Sequence, residues 1–272
     1  MSARKDWNPG IHARFRGLRL RPALDLLAQV QRLPDGDVVD LGCGSGAVGP
    51  ALAALYPDRR LIGIDASPAM LAEAAATGAY RQCLAEDAAV WEPASPPALI
   101  FSNAALHWLG DHDRLLPRLA SRVAPGGTLA VQMPRQYNAP SHRFLRDFAT
   151  EMFPDRFDFV DWHPPVRTPL DYYRLLAPLG QLNIWETDYI QRLTPEGAGV
   201  GAGEGAGHPV RRFTEGTALR PFLDRLSAVE ADAFVARYDE ALAAAYPVEH
   251  DGAVLFPFRR VFIVLQLPAL PV

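Results

Sequence analysis

Lysine is almost missing from this 272-residue chain: Lys5 is the only one, and the other basic residues are arginines. The formal net charge is −4 at pH 7, so the chain lacks the cationic excess on which affinity for DNA or RNA rests. No nucleic-acid partner is expected. No run reaches the ~18 apolar residues of a membrane-spanning helix. The first ten residues hold no apolar stretch ahead of a cleavage-like site, so neither membrane span nor secretory signal is expected. Cysteine is scarce too. Cys43 and Cys83 stand at no metal-ligand spacing, which suggests a reducing compartment and hence the cytoplasm. The histidines are scattered, with no HExxH or CxxC pattern, so no metal centre is expected.

What is abundant is apolar surface, 49% of residues, enough for a sizeable core. Val38–Leu41, Leu61–Ile64, Gln82–Leu84, Ala98–Ser102 and Thr128–Met133 read as strands. Helical spacing fills the gaps between them: Pro22–Leu33, Ala47–Leu55, a helix capped by Ser67 ahead of Pro68, and another capped by Asp111 and running to about Val123. Strand alternating with helix predicts a doubly wound α/β fold, its mostly parallel sheet covered on both faces. Beyond residue 133 the pattern loosens. Helices are predicted over Ser141–Met152, from Thr168 to near Gly180, and from a Ser227/Glu230 capping box to about Ala245. Leu182–Leu193 and Ala253–Leu265 read as two late strands able to join the sheet as an antiparallel pair. The expected organisation is an N-terminal arm (1–21), a Rossmann-like domain (22–193 and 251–272), and a helical cap (194–250) carrying the glycine-rich stretch Gly197–Gly207.

The strongest motif is the strand and glycine loop Val38-Val-Asp-Leu-Gly-Cys-Gly-Ser-Gly46. Glycines let backbone approach a ligand closely, and ligands of open parallel sheets bind beyond the carboxyl ends of the strands. Gly44-Ser-Gly-Ala-Val-Gly49 also fits the dinucleotide pattern, with Asp65 some twenty residues on. The acids favour S-adenosylmethionine instead. Asp40, just ahead of the loop, would attract a cationic amino group and repel a pyrophosphate. Asp65 closes its strand where ribose hydroxyls would sit, and Asp87 follows the next strand within reach of an adenine amino group. Asn103, ending a further strand, would border the sulfonium and the acceptor.

These residues carry a resemblance. Trp7-Asn-Pro9, Arg19-Leu-Arg-Pro-Ala23, Asp40-Leu-Gly-Cys-Gly44, Gly63-Ile-Asp65, Asn103-Ala, Val131-Gln-Met-Pro134, Leu219-Arg-Pro221 and Arg260 with Phe262-Ile-Val264 resemble the trans-aconitate 2-methyltransferase family over nearly the whole chain. That family is a branch of the class I S-adenosylmethionine-dependent methyltransferases. The resemblance implies a seven-stranded class I fold and transfer of a methyl group to one carboxylate of trans-aconitate, leaving a monomethyl ester and S-adenosylhomocysteine. It assigns Asp40, Gly42, Gly44, Asp65 and Asp87 to the cofactor and has Trp7 help to close the site. The chain departs from the family pattern at His12, Leu18, His107, Ala218 and Arg259, mostly in acceptor-side segments.

A carboxylic acid has a pKa near ~4 and is ionised at pH 7, so no general base is expected and positioning should supply most of the rate. The remaining carboxylates of a small polycarboxylate need counter-charges, for which arginine is suited. Candidates are Arg19, Arg21, Arg220 and Arg260, with His107 and Tyr137 as hydrogen-bond partners. Two other readings stand beside this one: a methyltransferase for another small acid, such as a malonyl-thioester acceptor, and a nicotinamide-dinucleotide-binding protein. Oligomeric state is not legible in the sequence.

Overall fold

Sheet formation begins with β1 (Val38–Leu41), a strand buried along its whole length. Around it lie β2 (Leu61–Asp65), β3 (Gln82–Ala85), β4 (Leu99–Asn103) and β5 (Thr128–Pro134), all parallel. β6 (Gln181–Leu193) and β7 (Val254–Gln266) complete a seven-stranded sheet of order β3-β2-β1-β4-β5-β7-β6, with β7 antiparallel to both neighbours. The two late strands thus join as the sequence predicts. The computed structural model describes residues 16–194 and 207–270.

Both faces of the sheet are covered, which is why its strands are near-continuous apolar runs. Alternate residues point to opposite sides. One face (Val39, Leu41, Ile62, Ile100, Val131, Ile263) packs on α4 (His112–Arg122) and α6 (Pro169–Leu176). The other (Val38, Leu99, Phe101, Ala130, Phe262) packs on α1 (Arg16–Leu27) and α2 (Gly49–Leu55). α3 (Pro68–Ala76) connects β2 to β3, with the Ser67 side chain accepting from the Met70 amide at 3.2 Å.

β7 pairs with β5 only from Gln266 to Arg260, but with β6 from Gln266 to Val254. The last residues of that ribbon therefore overhang the carboxyl end of β5. An aromatic cluster forms there: Phe256 and Phe258 pack with α5 (Pro140–Met152), α7 (Pro209–Thr214) and α9 (Ala228–Ala245), beside the short α8 (Arg220–Leu223). α9 opens with the Ser227/Glu230 capping box.

Two local expectations change. α1 starts at Arg16 rather than Pro22 and ends at Leu27 rather than Leu33. Pro22 lies inside it, and the buried residues that decide its placement are Ala23, Leu26 and Leu27 against the sheet. Asp111 does stand at the start of α4, but in left-handed conformation (φ 52°) with no side-chain bond to the helix amides. Its carboxylate lies 3.9 Å from Arg114 instead.

Candidate active site

The strand order reverses between β1 and β4, and at such a switch point the loops leaving two adjacent strands part to form a crevice. The first loop leaves β1. Gly42 (φ 76°) and Gly44 (φ 54°) take left-handed conformations that other residues adopt with difficulty. A Cβ on Gly42 would also drive into the methyl of Ala105, on the loop leaving β4. Nothing lies within 4 Å of where a Cβ on Gly44 would stand, so backbone is open to the crevice there.

Two carboxylates frame this loop. Asp65, at the end of β2, accepts from the Gly44 amide at 2.9 Å and from the Ser67 amide at 2.9 Å. Asp40 is only 2% exposed. Burial pushes its carboxyl up to about 7; a hydrogen bond from Tyr80 opposes that rise, and the charge of Asp65 adds to it. The phenol donates to Asp40 Oδ2 at 2.7 Å. These facts separate the two nucleotide readings. A pyrophosphate wants free loop amides and no nearby anion, yet here the Gly44 amide is already bound to one carboxylate and a second is buried beside it. The same arrangement fits S-adenosylmethionine: an amino-acid cation toward Asp40 and a diol toward Asp65, whose oxygens retain lone pairs. Asp87 lies exposed beyond β3, accepting from the Ala89 amide at 2.9 Å.

The second loop leaves β4 at Asn103. The next residue, Ala104, is held at φ 52°, a conformation that costs an alanine ~1–3 kcal/mol and collects at functional sites. Its amide donates to the Gln132 carbonyl on β5 at 2.9 Å. Around this turn the buried Asn103 Oδ1, His107 Nδ1 and Gln132 Nε2 have no hydrogen-bond partner among the described residues. Each such atom costs ~1–3 kcal/mol. Asn103 and Gln132 are direct register neighbours, so two of these polar atoms come from adjacent strands at the carboxyl end of the sheet.

Arg260 brings positive charge to it. Its register partner on β5 is Pro134, at the carboxyl edge of the sheet. It is 3% exposed, donates from Nη1 to Gln132 Oε1 at 3.1 Å, and lies over the Phe258 ring at 4.8 Å. Burial, then the charge of Arg260, pushes His107 down to about 3. His107 is therefore neutral at pH 7, a hydrogen-bond partner and not a cation. Farther out, Tyr137 packs against His142 and Trp162, with centroids 6.4 and 5.8 Å apart. Burial, then Arg146, pushes His142 down to about 3. A cleft of about 550 Å³ opens past Tyr137, lined also by Arg135 and Arg167. Glu186 and Asp113 pair with those two arginines, which offsets their charge toward an anion in the cleft.

The fold thus draws Asn103, His107 and Arg260 together, with Tyr137 bordering them through His142 and Phe258. It sets two other candidates beside acids four positions on in the chain. Arg21 projects from α1 with 76% of its side chain exposed, 3.9 Å from Asp25 and over the Tyr189 ring. Arg220 heads α8 and lies 3.7 Å from Asp224. Trp7 and the side chain of Arg19 lie outside the described residues, as do all but the last residue of the Gly197–Gly207 stretch. Sequence reasoning missed Gln132, Tyr80 and His142. Gln132 did carry a signal, being a polar residue inside the apolar run Leu129-Ala-Val-Gln-Met133. Tyr80, forty positions from Asp40, carried none.

Comparison with known proteins identifies the family and the fold. The family described as "Methyltransferase domain" matches residues 12–183. A trans-aconitate 2-methyltransferase of Streptomyces avermitilis is 42% identical, covering 97% of this chain and 97% of its own. One from Klebsiella pneumoniae is 40% identical, covering 96% and 98%. Among solved structures, the YcgJ protein of Bacillus subtilis superposes with a TM-score of 0.55 over 91% of this chain and 99% of its own. At 14% identity that is a likeness of fold. The chain is a methyltransferase with a Rossmann-like α/β fold, and it belongs to the family of the trans-aconitate 2-methyltransferases.

Proposed function

We propose that this enzyme uses S-adenosylmethionine to esterify one carboxylate of trans-aconitate, releasing a monomethyl ester and S-adenosylhomocysteine. The observation that carries the reading is the buried Arg260, bonded to Gln132 near three polar atoms that lack a partner among the described residues, on the same carboxyl end of the sheet as Asp40 and Asp65. One side suits a cationic amino acid, and the other suits an anion. The names of the relatives support the choice of acid.

When bound, the cofactor supplies a methyl group activated by a positive sulfonium. The chain's own residues bind and align. Asp40 faces the ammonium and Asp65 the ribose, on a loop whose shape Gly42 and Gly44 permit; Asp87 borders the adenine. Arg260 holds a carboxylate with two parallel N–H groups, a geometry lysine cannot match. Asn103, His107 and Gln132 satisfy the remaining polar edges of the acid, and Tyr137 closes the outer side. The acceptor carboxylate is already ionised at pH 7, so no side chain has to remove a proton. Alignment accounts for the rate, with effective molarities up to ~10⁵ M or more. Arg19, Arg21 and Arg220 add counter-charge for the acid's other carboxylates, and Trp7 helps to close the site.

The enzyme works on a small molecule and on neither nucleic acid nor membrane, in the reducing cytoplasm. Its net charge of −4 and its two free cysteines support this. No helix among the described residues is long and apolar enough to cross a membrane. The test is a panel of acids incubated with methyl-labelled cofactor. Trans-aconitate should be esterified with the highest kcat/KM and a dicarboxylate lacking one arm more slowly. Equal turnover of a monocarboxylate or a malonyl thioester would replace trans-aconitate as the acceptor.

A further inference from the structure

Gly49 and Gly63 are not required by backbone conformation: neither has a positive φ. What they share is a neighbour. A Cβ on Gly49 would meet the Tyr80 ring and hydroxyl at 2.6–2.8 Å, and one on Gly63 would meet the same ring at 2.9 Å. Both are closer than side-chain atoms normally pack. The two glycines, one opening α2 and one within β2, form a slot that the phenol ring fills. From that slot Tyr80 reaches Asp40 Oδ2 at 2.7 Å. No hydrogen bond to Asp40 Oδ1 forms among the described residues, which leaves that oxygen for a ligand.

We propose that Tyr80 is a positioning residue for the cofactor: its phenol, gripped by Gly49 and Gly63, aims the Asp40 carboxylate at the ammonium of S-adenosylmethionine and holds it in the charged form. The last glycine of the GxGxxG pattern then serves a tyrosine rather than a phosphate. The inference rests on Asp40 facing the ammonium, as proposed above.

The electrostatics give the role a readout. Groups facing Asp40 from the elements around it are Tyr80, ahead of β3; Asp65, at the end of β2; Cys43, on the glycine loop; and Cys83, in β3. Burial, with the negative charge of Asp40 added to it, pushes the Tyr80 hydroxyl and both thiols up, so they stay protonated between pH 6 and 8.5. Asp40, pushed up to about 7, is the group that changes charge in that range. An ionised Asp40 attracts the ammonium and a protonated one does not. Affinity should therefore rise with pH through about 7 for as long as the ligand's ammonium keeps its proton.

Of the forces on Asp40, the Tyr80 hydrogen bond is the one that favours the charged form. Removing it should shift Asp40 upward by about one pH unit, the size expected for a hydrogen bond to a charged group. The experiment is Tyr80→Phe, which keeps the ring in its slot, with S-adenosylhomocysteine binding followed by calorimetry from pH 6 to 8.5. The variant should bind about tenfold more weakly than the parent at pH 6 and within about twofold of it at pH 8.5. The ligand's own titration cancels in that ratio. A ratio that stays constant across the range, or stays at one, overturns the proposal. The unliganded protein gives a second measurement: the carboxyl ¹³C resonance of Asp40 should titrate near 7 in the parent and about one unit higher in the variant. Identical titrations would overturn the role of Tyr80 alone. A parent that binds no S-adenosylhomocysteine while its Asp40 titrates as described would overturn the reading of the cofactor pocket and not the Tyr80–Asp40 linkage.

Discussion

The two sides of the crevice are built on different plans. On the proposed cofactor side, most of the assigned groups come from one contiguous loop and the ends of two adjacent strands, β1 and β2, with Asp87 added beyond β3, and Asp65 binds the loop directly. On the acceptor side, Asn103, Gln132 and Arg260 come from three strands, and the Arg260–Gln132 bond spans 128 positions. One side is a local motif. The other exists only once β7 has inserted antiparallel beside β5 in its correct register. The lesson is that a nucleotide pocket can be carried by a short stretch of chain, whereas an acid pocket on this fold depends on the last strand added.

That contrast is open to attack by substitution. The largest effect is expected at Gly42→Val. It combines a left-handed backbone with a side chain aimed at Ala105 and should abolish S-adenosylhomocysteine binding in calorimetry, whatever the acid present. Next is Phe234→Ala in the aromatic cluster under the overhanging ribbon. It should cost ~3–5 kcal/mol of stability in denaturant unfolding. If β7 transmits that damage, KM for the acid should rise more than Kd for the cofactor. Asp65→Asn keeps the shape of the side chain but removes its charge. It should weaken S-adenosylhomocysteine about tenfold by calorimetry and leave KM for the acid nearly unchanged. The smallest effect belongs to Arg21→Ala: an exposed ion pair is worth ~0–1 kcal/mol, so thermal melting and KM should both stay near the parent values.

The same contrast explains what could be read from the sequence. The cofactor side was legible because its chemistry is written in neighbouring letters: Asp40 ahead of Gly42 and Gly44, and Asp65 at a strand end. The alternation of strands and helices, the Ser67 cap and the Ser227/Glu230 box were legible for the same reason, being local. Arg260 was legible as one of four candidate arginines, in a segment that carries the family resemblance. What singles it out is burial against Phe258 and a bond to Gln132, and both are products of strand register. Arg21 was a candidate too, yet α1 turns it outward to Asp25. Tyr80 was invisible because its role comes from a slot between Gly49 and Gly63, which no spacing along the chain reveals. Asp111 shows the opposite failure: a residue type favoured at helix starts occupies that position without making the capping bond.

The claim that the two sides are separable, with Arg260 as the anchor of the acid, is tested most directly by Arg260→Met. KM for trans-aconitate and Kd for S-adenosylhomocysteine should be measured on the same preparation, with Arg220→Met alongside. The account predicts that KM rises about a hundredfold in the Arg260 variant, as expected for loss of a buried charge pair, that it rises far less in the Arg220 variant, and that Kd is nearly unchanged in both. An unchanged KM at Arg260, or a loss of cofactor affinity as large as the loss of acid affinity, would contradict it.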